Sequence, residues 1–275
     1  MQIFVLGAGY VGRCFLRSAK HEYTFYASTT SKENVPILEE LADHVQVLSS
    51  NDRAQLQRSI DNCDALLVLV APRNAASYAD TYLETARSIA ETLKTRQKPL
   101  YLLYTSSTQV YQGLGLDGQD VLEDTHLKPF TESAQILAKS EELYLGCASS
   151  LITPCILRLG GIYGPERDLT ARARRLAGQE LPGTGNEPTN HIHVEDIARA
   201  MHFCIAHQLQ GVFNLVNDAH PTRKALYETL CTQLGLKSPT WNPALPDQRG
   251  SHSRVSAQKI EKCGFAFKHP HLIEK

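Results

Sequence analysis

The run Gly7-Ala8-Gly9-Tyr10-Val11-Gly12 follows directly on an apolar segment at residues 2–6 and opens a stretch of helical spacing at 12–20. Three glycines so spaced between a strand and a helix leave few choices of fold. The first permits a tight turn, the second removes a side chain where backbone must approach a pyrophosphate, and the third lets helix lie against strand. Free amides at the start of the helix then face an anion. The segment predicts the first βαβ unit of a dinucleotide-binding Rossmann-type domain, with Gly7, Gly9, Tyr10, Val11 and Gly12 against the ligand.

The following residues extend that unit into an α/β doubly wound parallel sheet. Apolar runs of strand length at 2–6, 24–28, 45–48, 65–70, 100–105 and 152–157 alternate with helix-compatible segments at 12–20, 35–42, 53–61, 77–95 and 133–147. Short runs without a polar face belong in a sheet covered by helices on both sides. After Gly164, glycines, prolines and arginines break the alternation. The expected organisation is a Rossmann domain over 1–164 and a small C-terminal substrate lobe over 165–275, with a segment near 190–217 returning to the core.

Charge and cysteine usage narrow the partners. Lysine plus arginine number 28 against 29 aspartates plus glutamates, so total charge offers no pull toward nucleic acid or an acidic membrane, and a small-molecule substrate is expected. The 7 cysteines are scattered without a C-x-x-C pair, which fits neither a disulfide framework nor a zinc site, and no metal is expected. Reduced thiols, apolar runs too short to span a membrane, and an N-terminus without signal-peptide layout predict a cytoplasmic protein. The oligomeric state stays open, a homodimer included.

The end of the second strand bears on cofactor choice. A site for NAD usually places an acid there to accept the ribose hydroxyls. Here the chain reads Ser28-Thr29-Thr30-Ser31-Lys32, with no acid before Glu33. Hydroxyls and an ammonium suit a 2′-phosphate, so NADP is expected, with NAD as the alternative. Asn51-Asp52, after the third strand, are placed either to meet the adenine or to cap a helix.

Three further blocks occur in order: Thr105-Ser106-Ser107-Thr108-Gln109-Val110-Tyr111, then Arg158-Leu159-Gly160-Gly161-Ile162-Tyr163-Gly164-Pro165, then His191-Ile192-His193-Val194-Glu195-Asp196. With the glycine motif, they make the chain resemble the extended and atypical short-chain dehydrogenase/reductases, NAD(P)-dependent epimerase/dehydratase family, YeeZ-like subgroup, over nearly its whole length. The blocks match that family's S-S-x-x-V-Y, R-x-x-x-x-Y-G-P and I-H-V-x-D segments. The resemblance implies NAD(P) bound at the carboxyl ends of the strands, which brings Ser28, Thr29, Thr30, Lys32, Asp52, Ala71 and Ser106 into the cofactor set. It also implies a C-terminal lobe covering a substrate that is often a nucleotide-sugar. His193 and Asp196 are expected to join strand to helix and position that lobe rather than to act as acid and base.

One departure bears on chemistry. The family works through a Tyr-x-x-x-Lys pair, in which lysine lowers the tyrosine pKa so that the phenol exchanges a proton while hydride moves at the nicotinamide. No Tyr-x-x-x-Lys occurs in this chain. If Lys139 takes the lysine role, Gln135 stands where the tyrosine should be; alignment on Glu141 or Glu142 puts Ser133 or Ala134 there. The remaining catalytic candidates are Ser107, Tyr111 and Lys139, with Tyr111 or Glu132 as a relocated acid. Gln135, Arg172, Arg175 and Arg254 are the candidates for substrate binding, since guanidinium forks suit diphosphates, and Arg167 and Arg174 lie in the same stretch. The expected function is an atypical NADP-dependent epimerase, dehydratase or reductase acting on a nucleotide-sugar-like molecule. The alternative is a non-catalytic NADP-binding sensor or scaffold.

Overall fold

The apolar runs of the N-terminal half become strands, and the innermost of them are buried on both faces. The computed structural model describes residues 1–49, 52–72, 74–114, 119–245 and 253–272. Strands β1 (Gln2–Leu6), β2 (Thr24–Thr29), β3 (His44–Val47), β4 (Ala65–Val68), β5 (Leu100–Ser107), β6 (Ile152–Leu159) and β7 (Gly211–Leu215) form one parallel sheet in the order β7-β6-β5-β4-β1-β2-β3. Ile3 of β1 pairs in register with Phe25 of β2 on one side and Ala65 of β4 on the other. The chain therefore winds outward in both directions from the β1–β4 junction. In an open sheet of this kind a crevice opens at that junction, beyond the carboxyl ends of the strands.

Alternation along each strand supplies two cores. From β5, Tyr101 and Leu103 face one layer and Leu100, Leu102 and Tyr104 the other. The first layer takes Phe15 and Leu16 from the helix Tyr10–Ser18 and Ile197, Met201 and Cys204 from the helix Val194–Ala206. The second takes Leu56 and Ile60 from the helix Arg53–Asp61 and Ile89 and Leu93 from the helix Thr85–Leu93. A smaller cluster, including Ala173, Leu176, Leu226 and Leu230, joins the helices Leu169–Leu176 and Arg223–Gln233. Ile192, Phe213 and Val216 pack into the first layer, and so do Val255, Ala257, Ile260 and Phe265. That second return lies beyond the segment near 190–217 that the sequence predicts. Among the described residues no helix is long and apolar enough to cross a membrane.

A buried polar network fastens the C-terminal end of the sheet. Arg158 on β6 donates from Nη2 to Glu141 Oε2 at 2.6 Å and from Nε to both Glu141 oxygens at 3.1 Å. Ser106 Oγ on β5 donates to Glu141 Oε1 at 2.6 Å. Arg158 Nη1 donates to the Tyr111 hydroxyl at 2.6 Å, which donates to Asn214 Oδ1 on β7 at 2.7 Å. Asn214 donates in turn to the Ser256 carbonyl, 2.9 Å, and through its backbone to Glu123 Oε1, 2.8 Å. Glu141 and Arg158 are 2% and 4% exposed, so each charge relies on the other.

Truncating one partner strands a buried charge. Glu141→Ala is expected to lower the unfolding free energy by about 3–5 kcal/mol. Glu141→Leu combined with Arg158→Met should cost less than Glu141→Ala alone, because no charge is left unpaired. Urea titration of the three proteins checks the order.

Candidate functional site

A cleft of about 680 Å³ lies at the β1–β4 junction, and the glycine loop forms its floor. Each glycine of the loop has a different physical reason. Gly7 has φ +85°, and a Cβ there would lie 3.0 Å from the Val70 backbone, so only glycine makes this turn. At Gly9 the nearest heavy atom to an added Cβ is the Gly7 carbonyl oxygen at 4.0 Å, so the backbone is bare and open. Gly12 is buried against Ala8 and Val5 and does not line the cleft; its part is helix-to-strand packing. Ser28 ties the loop to β2: its Oγ accepts from Gly7 N at 3.2 Å and its carbonyl from Ala8 N at 2.8 Å. Gly9, capping the helix Tyr10–Ser18, offers no side-chain acceptor to the first helical amides, which are left for an anion. A dinucleotide pyrophosphate fits this floor.

Ser28, Thr29 and Thr30 line one end of the cleft, together with Asn34 and Ser49. Lys32 stands on the single 3-10 turn Lys32–Asn34, exposed and outside the wall, while Asn34 of the same turn faces in. Asp52 does not reach the cleft. Its carboxylate accepts from Gln55 N at 3.0 Å and caps the helix Arg53–Asp61. Asn51 lies outside the described residues. Ala71, Ser106 and Ser107 line the middle of the cleft with Tyr10 and Val11. The Ser106 hydroxyl is committed to Glu141, whereas Ser107 Oγ accepts from Gln109 N at 3.2 Å and keeps its proton to give.

The structure does not bring Tyr111 or Lys139 to the cleft. Tyr111 is 1% exposed, and its hydroxyl is enclosed between Arg158 and Asn214. Burial pushes its pKa up to about 12 against the pull of Arg158, so it is a neutral structural donor. Lys139 is on the outer side of the helix Glu132–Leu145, more than half exposed, and donates to Glu142 Oε2 at 2.7 Å. Glu141 points inward, which sets the inner face at Ser133, Leu137 and Glu141, four residues apart. That face, as far as Ser133, Leu137 and Glu141 define it, carries neither phenol nor ammonium. Gln135 is exposed and donates to the Pro129 carbonyl at 3.2 Å.

The arginines also separate. Arg254 forms an exposed ion pair with Asp120, with Nε to Oδ1 at 2.5 Å. Arg172 and Arg175 are exposed on the helix Leu169–Leu176 and do not line the cleft. Arg172 lies near His191, whose burial, aided by that charge, holds its pKa down to about 4. Among the described residues the arginine that lines the cleft is Arg167, with its guanidinium carbon 4.5 Å over the Tyr10 ring. Tyr10 in turn donates its hydroxyl to the Pro165 carbonyl at 2.5 Å. Arg167 is aimed by a turn in which Gly164 has φ +143°, Glu166 has φ +67°, and Arg167 N donates to the Gly164 carbonyl at 3.0 Å. The sequence signal for it is adjacency to Tyr163-Gly164-Pro165.

Asp80, Thr81 and Tyr82 also line the cleft, from the π-helical turn Asp80–Glu84. Such wide turns recur at functional sites. Tyr82 packs edge-on to Tyr78, ring centroids 4.8 Å apart, and burial raises its pKa, so it faces the cleft as a neutral hydrogen-bond donor. Tyr78 donates to Gln109 Oε1 at 3.2 Å, and Gln109 Nε2 donates to Ser133 Oγ at 2.8 Å.

The sheet is of the Rossmann type, and residues 3–215 match the model of the NAD dependent epimerase/dehydratase family. The chain belongs to that family. It is 27% identical over 212 residues to Protein YeeZ of Escherichia coli K12, covering 76% of this chain and 73% of YeeZ. Its fold superposes on the dTDP-glucose 4,6-dehydratase of Bacillus anthracis str. Ames in complex with NAD at a TM-score of 0.80, with 19% identity, covering 98% of this chain and 92% of that one. The human epimerase family protein SDR39U1 with NADPH gives a TM-score of 0.77 at 16% identity, covering 99% and 96%.

The first two glycines of the loop yield a paired prediction. Gly9→Asp should fold with near-parental stability and lose dinucleotide binding, through overlap and charge repulsion with the pyrophosphate. Gly7→Ala should also lose about 1–3 kcal/mol of stability, because its left-handed backbone and the Val70 contact tolerate no Cβ. Calorimetric titration with NADP and thermal unfolding separate the two; undiminished NADP affinity in Gly9→Asp would contradict the assignment of the floor.

Proposed function

We propose that the chain binds NADP in this cleft, with NAD the weaker ligand, and acts as an atypical epimerase, dehydratase or reductase on a nucleotide-sugar-like small molecule. The observation that carries the reading is the bare Gly9 backbone at the sheet's switch point, beside an end wall of hydroxyls and amides. The charged residues among the described lining are Asp80 and Arg167, and the carboxylate nearest the Thr29–Thr30 end, that of Glu33, is outside the lining and engaged by the Ser31 hydroxyl. When bound, the nicotinamide supplies hydride transfer.

The chain's own residues take the remaining tasks. Amides of residues 7–11 hold the pyrophosphate, and Arg167, reaching in from the lobe side, adds positive charge over it. Thr29, Thr30 and Asn34 meet the ribose, with Lys32 at the rim. Ser107 donates to the reacting oxygen; of the two phenols that share the cleft with it, Tyr10 gives its hydroxyl to the Pro165 carbonyl, and Tyr82 is the candidate donor. Arg172 and Arg175, exposed on the helix Leu169–Leu176 outside the cleft wall, contact a substrate diphosphate only if it extends over the lobe. A nucleotide-sugar is supported by the dTDP-glucose 4,6-dehydratase that shares the fold.

Proton transfer is the weak step. A positioned general acid contributes a factor of about 10² to 10⁴, and the helix face Ser133, Leu137 and Glu141 offers none. The same observation favours a second reading, a non-catalytic NADP-binding sensor or scaffold.

NADP should bind more tightly than NAD, and Lys32→Glu should narrow or reverse the preference; equal dissociation constants in the parent protein would count against it. Across a panel of nucleotide-sugars, NADPH oxidation should be slow, and Ser107→Ala and Tyr82→Phe should each cut it by about tenfold or more while leaving NADP affinity near intact. Fast turnover indifferent to both changes would refute the assignment of those two hydroxyls. Tight NADP binding without turnover on any substrate would favour the sensor.

A further inference from the structure

We infer that His193, Glu195 and His269 form a site for a divalent transition metal of the zinc type, clasping the C-terminal segment to the start of the helix Val194–Ala206. One ligand atom from each of the three lies within 4.8 Å of the others. Two imidazoles and a carboxylate are a donor set that zinc accepts, with a fourth position left for water. Magnesium and calcium, which favour all-oxygen sites, fit it poorly.

The backbone that carries His269 is held independently of any metal. The Asp196 carboxylate, fully buried, accepts from Lys268 N at 2.7 Å and from His269 N at 2.9 Å, fixing the backbone that carries His269. The rings of His193 and His269 lie with centroids 3.8 Å apart, and His269 Nε2 is 2.9 Å from Glu195 Oε2. His193 Nδ1 accepts from Glu195 N at 3.3 Å, which leaves Nε2 as the nitrogen for the metal. Coordination there puts the ring proton on Nδ1, so the 3.3 Å hydrogen bond from Glu195 N is lost and two N–H groups face each other, a cost the metal bond has to offset.

Lys268 stands in the way and shows what the carboxylate attracts. Its Nζ donates to Glu195 Oε2 at 2.7 Å, yet the side chain is more than half exposed and free to swing into water. A dication would take its place. The cluster adjoins the cleft: an added Cβ at Gly164 would sit 3.1 Å from His193 Nε2 and 3.0 Å from the Tyr10 hydroxyl. A metal here would stiffen the support of the turn that carries Arg167. No local spacing announces the site, because His269 lies far along the chain from His193 and Glu195.

The test is zinc titration of the full chain, in competition with a chromophoric chelator, with cobalt substitution read by visible absorption. The expected result is one zinc per chain and a cobalt spectrum free of thiolate charge transfer. His269→Ala should weaken binding by at least about 100-fold, the upper range for loss of even a supporting group. Lys268→Ala should tighten it by removing the competing ammonium. His269→Ala keeps the backbone bonds to Asp196, and circular dichroism checks that it folds. Zinc binding unchanged in His269→Ala, a cobalt–thiolate band that puts the metal on cysteine, or no binding even in Lys268→Ala would each overturn the inference.

Discussion

The pairing of Arg158 with Glu141 is the interaction on which the arrangement of the site depends. Two charges removed from water are stable only when their attraction and a full set of hydrogen bonds offset the desolvation. Here the guanidinium is satisfied by Glu141, Tyr111 and the Glu123 carbonyl, and the carboxylate by Arg158 and Ser106. The network reaches β5, β6, β7 and the helix Glu132–Leu145 at once. It also sets that helix's rotation: with Glu141 turned in, Leu137 and Ser133 are turned in and Lys139 is turned out. Ser106 is consumed in holding Glu141, and its neighbour Ser107 is left to the cleft. A single buried pair thus decides which groups can reach a ligand.

The cleft joins two parts of the chain that are far apart in sequence. Its floor is the loop after β1, fixed from below by Ser28, and Arg167, at the end of the turn Gly164 to Arg167, lines it too. Tyr10 links them, giving its hydroxyl to Pro165 and its ring face to Arg167. The loop and the lobe are therefore coupled beside the glycine loop, and the turn that carries Arg167 combines a positive φ that glycine permits at 164 with a left-handed Glu166.

Much of the scaffold was legible because it follows from local periodicity. The apolar run at 2–6 is β1, and the helix spacing at 53–61 matches Arg53–Asp61. β5 runs two residues beyond its apolar stretch, carrying Ser106 and Ser107 to the cleft wall. β7 was missed, since Gly211-Val212-Phe213-Asn214-Leu215 places a buried asparagine in a strand that lies beyond the regular alternation. The site was less legible. Spacing alone cannot tell which face of a helix turns inward, so Lys139 looked as eligible as any residue until a buried Glu141 fixed the register. Tyr111 sits in a family motif but is consumed by Arg158 and Asn214, a fact of tertiary packing. Among several arginines in one stretch, only the turn at Gly164 distinguishes Arg167.

Amide hydrogen exchange in the presence and absence of NADPH tests the central claim most directly, because it reads the loop, the strand end and the lobe turn in one experiment. Exchange should slow at residues 7–11 and 28–30 and at the turn 164–167, with the helix Arg223–Gln233 unchanged. Unaltered exchange at residues 7–11 in excess NADPH, or protection confined to segments away from the cleft, would contradict it.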